Sequence, residues 1–385
     1  MLKKSVEEKS GAAVSPEGET TTTCPISKET HNSLLEIFTG NHTALDKIFL
    51  ALKETNRESD LWESEMQRWL ESCKIFETCF DESLPDNSSA AQALALFKSG
   101  DFKGAEEFLR KSLGIHVALE EKGKHSAASD AFALGFVKEL LFDYQEARVF
   151  YEKAARLNPQ NGAYLNQYGS LLTCLGEYHK AIEYFTRAIE RIKAVSGEKH
   201  ARVADGYYRL GNSWKELGNI KKAIEYFTKA LEIDLDIYGE KHLNVAKRYD
   251  ALGSAWKTTD DAREAIDYYT KALEIYLDIY GEKHPSVATT YNNLGLVWFA
   301  LGHARYTKDF LSKALRIDVE IYGEKHPNVA KDYNNLGGMW KTLGDTRKAI
   351  ESYTKALKIF NDLYGSGHSY TKTVQSNIDY VKGKK

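Results

Sequence analysis

The chain has 385 residues, a formal net charge of -3 and four cysteines. This balance excludes a global electrostatic footprint for nucleic acid or anionic membrane. Cys24, Cys73, Cys79 and Cys174 contain no CxxC pair and are too few for a disulfide scaffold, so zinc and dithiol redox chemistry drop out as well.

Residues 1–27 combine Gly, Pro, Ser, Thr and Glu with almost no aromatic content, a composition that cannot offset ordering entropy, and they are expected to form a disordered tail. No apolar h-region opens the chain and no run approaches the ~18 apolar residues of a membrane span. The expectation is a cytoplasmic protein without membrane insertion. Residues 28–84 then place Leu34, Ile37, Phe38, Leu45, Ile48, Phe49, Leu52, Trp62, Met66, Trp69, Leu70 and Cys73 at helical spacing. Two or three amphipathic helices follow, either as a cap on what comes next or as a docking or dimerising element.

Beyond the linker-like DESLPDNSS, from Asp81 to Ser89, the chain repeats itself. A small residue is followed 12 positions later by another in Ala93/Ala105, Gly135/Ala147, Gly169/Ala181, Gly211/Ala223, Gly253/Ala265, Gly295/Thr307 and Gly337/Ala349. Seven units over residues 86–368 result, mostly with a 42-residue period. Such a period marks a solenoid, whose units bury their apolar faces only by stacking on one another. Tyr291, Leu294, Gly295 and Trp298 lie at i, i+3, i+4 and i+7, one stripe of a helix, with Gly295 where two helix axes must approach. Trp214, Trp256, Trp298 and Trp340 share one position and are expected in the core. Gly239, Gly281, Gly323 and Gly365 follow apolar helix ends, as left-handed C-caps would. Residues 369–385 are expected to hold a terminal capping helix and tail.

Small residues at positions 8 and 20, an aromatic at 24, alanine at 27 and Pro159 closing a 34-residue unit resemble the tetratricopeptide repeat. The GEKHP-x-V-A linkers and YNNLG helices of the 42-residue units further resemble kinesin light chain repeats. The resemblance implies an all-α, right-handed superhelical solenoid of helix-turn-helix units, and a non-enzymatic protein-interaction scaffold or adaptor. It also implies that the asparagine pairs Asn292/Asn293 and Asn334/Asn335 contact peptides. Duplication of the repeat accounts for the same asparagines without any such role.

Chemistry elsewhere is sparse. His200, His242, His284, His326 and His368 recur with the repeat, which keeps them about one unit (~10 Å) apart, too far to converge on one metal. No catalytic or nucleotide-binding fingerprint is present, and no enzyme activity, cofactor or metal is expected. With the core stripe at positions 4, 7, 8 and 11 of each first helix, the neighbouring stripe lines a concave groove. Its candidate peptide-binding residues are Asn166, Arg209, Asn212, Lys215, Lys257, Asn292, Asn293, Leu296, Phe299, Asn334, Asn335 and Lys341. Leu296 and Phe299 stand where other units have polar residues. They form either an apolar pocket for a partner side chain or a degenerate unit that packs differently. Position 5 carries no lysine, so a clamp for C-terminal carboxylates is not expected, and Gly40 and Asn41 interrupt any long N-terminal coiled coil of the motor type. The function expected is binding of a peptide or partner helix in the groove. The alternative is a sensor whose residues 28–84 inhibit the groove until displaced.

Overall fold

The computed structural model describes residues 89–119, 123–259 and 261–383, together with positions 33, 34, 36–38, 45, 48, 49, 66 and 70. The expected tail 1–27 and most of the helical segment 28–84 lie outside the described residues. Among these, fifteen helices and no strand are found. The first unit pairs α1 (Ser89–Lys98) with α2 (Phe102–Ala118), and the second α3 (Lys124–Leu140) with α4 (Tyr144–Leu157). Then come α5 (Gly162–Cys174) with α6 (Tyr178–Ser196), α7 (Ala201–Glu216) with α8 (Ile220–Tyr238), and α9 (Leu243–Trp256) with α10 (Ala262–Tyr280). The last two pairs are α11 (Pro285–Ala300) with α12 (Ala304–Tyr322) and α13 (Pro327–Thr342) with α14 (Thr346–Tyr364), and α15 (Ser369–Val381) closes the array. The fold is the expected all-α solenoid. In the 42-residue units the second helix has 19 residues, against 14 in α4.

Local chemistry sets where helices start and stop. Four second helices open on a side-chain cap: Asp101 accepts from the amide of Gly104, Asp143 from Glu146, Asn219 from Lys222 and Asp345 from Lys348. The five recurrent histidines cap first helices and α15 in the same manner. Nδ1 of His200, His242, His284, His326 and His368 accepts the amide two residues on, at 3.1–3.2 Å. Tyr280 stacks on His284 at 3.6 Å, and Tyr238/His242 and Tyr322/His326 repeat the arrangement at 4.0 Å. The repeat glycines take positive φ, but with ψ near 180°, as at Gly239 (φ 76, ψ -179) and Gly281 (φ 74, ψ -173). They are therefore extended mirror-image residues rather than the left-handed helical caps expected, and this region is essentially closed to any residue with a Cβ.

Packing follows the small-residue pattern. A Cβ on Gly253 would lie 2.8 Å from the Tyr269 ring, and on Gly337 2.6 Å from Tyr353, so each hairpin closes by an aromatic on one helix lying against bare backbone on the other. Asp379 occupies the equivalent position of α15, 42 residues after Gly337, and no second helix packs there among the described residues. The tryptophans depart from expectation. All four are half-buried at the edge of the hairpins, with Lys222 Nζ 3.8 Å from the Trp214 ring and Lys348 Nζ 4.3 Å from that of Trp340. A lysine thus covers the indole faces of Trp214 and Trp340, whereas Trp298 stacks on Tyr306.

Candidate functional site

First helices of neighbouring units approach one another, α1 with α3, α5 with α7 and α11 with α13, so their shared face is the inside of the curve. At α3 this face is closed. Ser129, Phe132, Phe136, Glu139 and Leu140 are all buried. Leu34, Phe38, Leu45, Ile48, Met66 and Leu70 belong to the same apolar cluster, and the Phe38 ring lies 5.7 Å from Phe97 and 6.3 Å from Phe102. From α5 onward the equivalent side chains are half-buried or exposed and form a polar trough.

Bonds between first helices run along this trough. Gln167 Nε2 donates to the buried Glu139 Oε2 at 2.9 Å, and Arg209 Nη1 donates to Ser170 Oγ at 2.8 Å. Farther along, Lys257 Nζ donates to Asn293 Oδ1 at 3.2 Å and Asn335 Nδ2 to Asn292 Oδ1 at 2.9 Å. The series ends with Asn377 Nδ2 of α15 donating to Asn334 Oδ1 at 3.1 Å. The two asparagine pairs thus tie adjacent units together while their remaining amide groups stay half-exposed.

The other candidates are distributed unevenly. Asn212, Lys215 and Leu296 are half-buried on the trough wall. Lys341 is exposed, with Nζ 4.6 Å from the ring of Tyr380. Asn166 presents a buried Oδ1 that has no hydrogen-bond donor among the described residues. Phe299 turns partly inward, against Leu311, Leu336 and Met339 at the junction of α11, α12 and α13. Its ring is therefore shared with the core, while Leu296 stays on the trough.

Sequence reasoning passed over two residues that the fold brings to this face. Asn377 and Tyr380 extend it onto α15, a segment expected only to cap; the 42-residue offset of Asn377 from Asn335 was the available signal. Asp250 stands beside Lys215 and Lys257 with one carboxylate oxygen buried and without a donor. Burial pushes its carboxyl up to about 6, against the opposing pull of Lys257 and Lys215. Burial in turn lowers the Lys257 ammonium.

A family model described as tetratricopeptide repeat matches residues 161–236, 206–278, 256–305 and 308–377, more than half of the chain, and a second of the same description matches 131–161. No curated protein matches the sequence. Among solved structures, a tetratricopeptide repeat protein from Parabacteroides merdae is similar at a TM-score of 0.51 and 17% identity, over 80% of this chain and 99% of that one. The apo form of RapI is similar at a TM-score of 0.50 and 14% identity, over 67% of this chain and 98% of that one. Nearly identical TPR-like repeats assigned to a kinesin light chain of Podosopora anserina align at a TM-score of 0.48 and 15% identity, over 54% of this chain and 98% of that one. Repeat length, hairpin packing and the family model agree: the chain belongs to the tetratricopeptide repeat family.

Proposed function

We propose that the protein is an interaction scaffold that holds an extended peptide or a partner helix in the trough from α5 to α15. Family membership supports a scaffold in general. The observation that carries the finer reading is the row of half-exposed amides and lysines on one continuous face, which offers both donors and acceptors to a peptide backbone. Residues 28–84 act in this reading as a cap. Support comes from burial of Leu34, Phe38 and Met66 with Phe97 at the first unit, while the trough positions from α5 onward remain open.

A random peptide library displayed on phage and selected on the full chain tests the proposal. Binders should lose at least tenfold in affinity on a Lys257→Glu, Asn293→Ala variant and keep it on Lys229→Glu, a change in the second helix α8. Equal affinity for all three proteins, or a loss confined to Lys229→Glu, would overturn it.

A further inference from the structure

Each junction between units seats one residue of a second helix near one residue of the following first helix. At equivalent positions the chain has Ile192 and Gly206, Asp234 and Arg248, Tyr276 and Thr290, Asp318 and Asp332, then Phe360 and Val374, all buried. Two of these five junctions carry charge, and they are solved in opposite ways; at the α2–α3 junction the equivalent pair is His116 and Asp130, with Nδ1 and Oδ2 2.7 Å apart. Between α8 and α9, Arg248 Nε donates to Asp234 Oδ2 at 2.8 Å, and Nη2 reaches Asp205. Between α12 and α13, two carboxyls face each other and no guanidinium is present.

Asp318 and Asp332 are 7% and 4% exposed and meet across the junction, and Asp332 Oδ2 accepts from no donor among the described residues. Two carboxylates cannot share a hydrogen bond unless one holds a proton. Lys331, on α13 itself, is the one cation among the described residues whose field acts on both carboxyls, and no charged group of α11 or α14 does so. The stacked rings of Tyr322 and His326 flank the same junction. Apolar contacts cross the same junction, with Leu311 of α12 against Leu336 and Met339 of α13.

We infer that the α12–α13 junction is a protonation-dependent joint: a proton shared by Asp318 and Asp332 holds units six and seven together, and its loss loosens them. The inference stands apart from the peptide-binding reading, since it concerns the stacking of units. It also bears on the trough, because the Asn335–Asn292 bond spans the same pair of units. Burial raises both carboxyls above the ordinary carboxylate range, Asp318 to about 7, and the neighbouring Asp318 charge adds to the rise of Asp332. A group raised on closing binds its proton in the closed state, so closure is complete in acid and weakens as pH rises from about 4 through 7.

Amide hydrogen exchange on the full chain between pH 5 and 8, corrected for intrinsic rates, tests the joint. In the native protein, protection of α13 to α15 should fall about tenfold per pH unit for each retained proton, with α7 to α10 unaffected. Asp332→Asn and Asp318→Asn each remove the shared proton while keeping a hydrogen-bonding side chain, and should flatten that slope. Asp332→Arg, which copies the Arg248 solution, should flatten it as well. A native profile independent of pH, or the same slope in both asparagine variants, would overturn the joint, and those two variants decide even if Asp332→Arg misfolds.

Discussion

Asn335 Nδ2 donates to Asn292 Oδ1 at 2.9 Å across 43 residues, so the second asparagine of one unit bonds to the first asparagine of the unit before it. Asn377 and Asn334 repeat the bond at the next junction. The paired asparagines are therefore structural ties as well as candidate ligand contacts. Asn292→Ala and Asn335→Ala should each cost about 0.5–1.5 kcal/mol in urea unfolding. The double variant should cost less than the sum, because each removes the same bond. Strict additivity would show that the bond contributes nothing to unit stacking.

Adjacent glycines of α13 should respond in opposite directions. A methyl on Gly337 meets the Tyr353 ring at 2.6 Å, whereas on Gly338 the nearest atom is 3.7 Å away. Gly337→Ala should destabilise by about 1–3 kcal/mol through overpacking. Gly338→Ala should stabilise by about 0.5–1 kcal/mol through lower backbone entropy in the unfolded chain. Thermal melts of both variants check the signs.

Arg248 is buried between two carboxylates and lies 4.3 Å from the Tyr208 ring. Arg248→Ala leaves Asp234 buried without its counter-ion and should cost about 3–5 kcal/mol. Asp234→Asn in the same background should recover part of that loss, since the stranded charge is gone. Denaturant titrations of the single and double variants distinguish lost pairing from lost packing.

Asp250 gives the trough its own pH dependence. Its carboxyl is pushed up to about 6 in the fold, so its ionised form is disfavoured there, and stability should fall as pH rises through 6. Asp250→Asn should therefore melt higher than the native protein at pH 7.5, with the gap narrowing as pH falls below 6. A constant gap from pH 4.5 to 7.5 would show that the carboxyl titrates as it does in water.

The repeat, its hairpins and the face that lines the trough were legible because each rests on spacing. Gly253 and Tyr269, or Gly337 and Tyr353, recur at fixed offsets whatever their surroundings, and a helix of 3.6 residues per turn converts those offsets into faces. Other features depend on what lies alongside. Trp298 was expected in the core, but the hairpin leaves it half-buried, stacked on Tyr306 at 4.7 Å. The inward turn of Phe299 requires the gap among Leu311, Leu336 and Met339, three residues on two other helices. The histidines were legible as residues of the turn, but not as caps, because His is an uncommon choice for that role.

The sequence by itself determined the number of units, the helix periodicity and the positions where only small residues fit, since these are local and repeat without reference to any neighbour. Tertiary structure alone decided where the trough opens, which asparagines bond across units, and that Asp318 faces Asp332 while Asp234 faces Arg248. Those outcomes arise from stacking one unit on the next, which brings together side chains that no single unit contains.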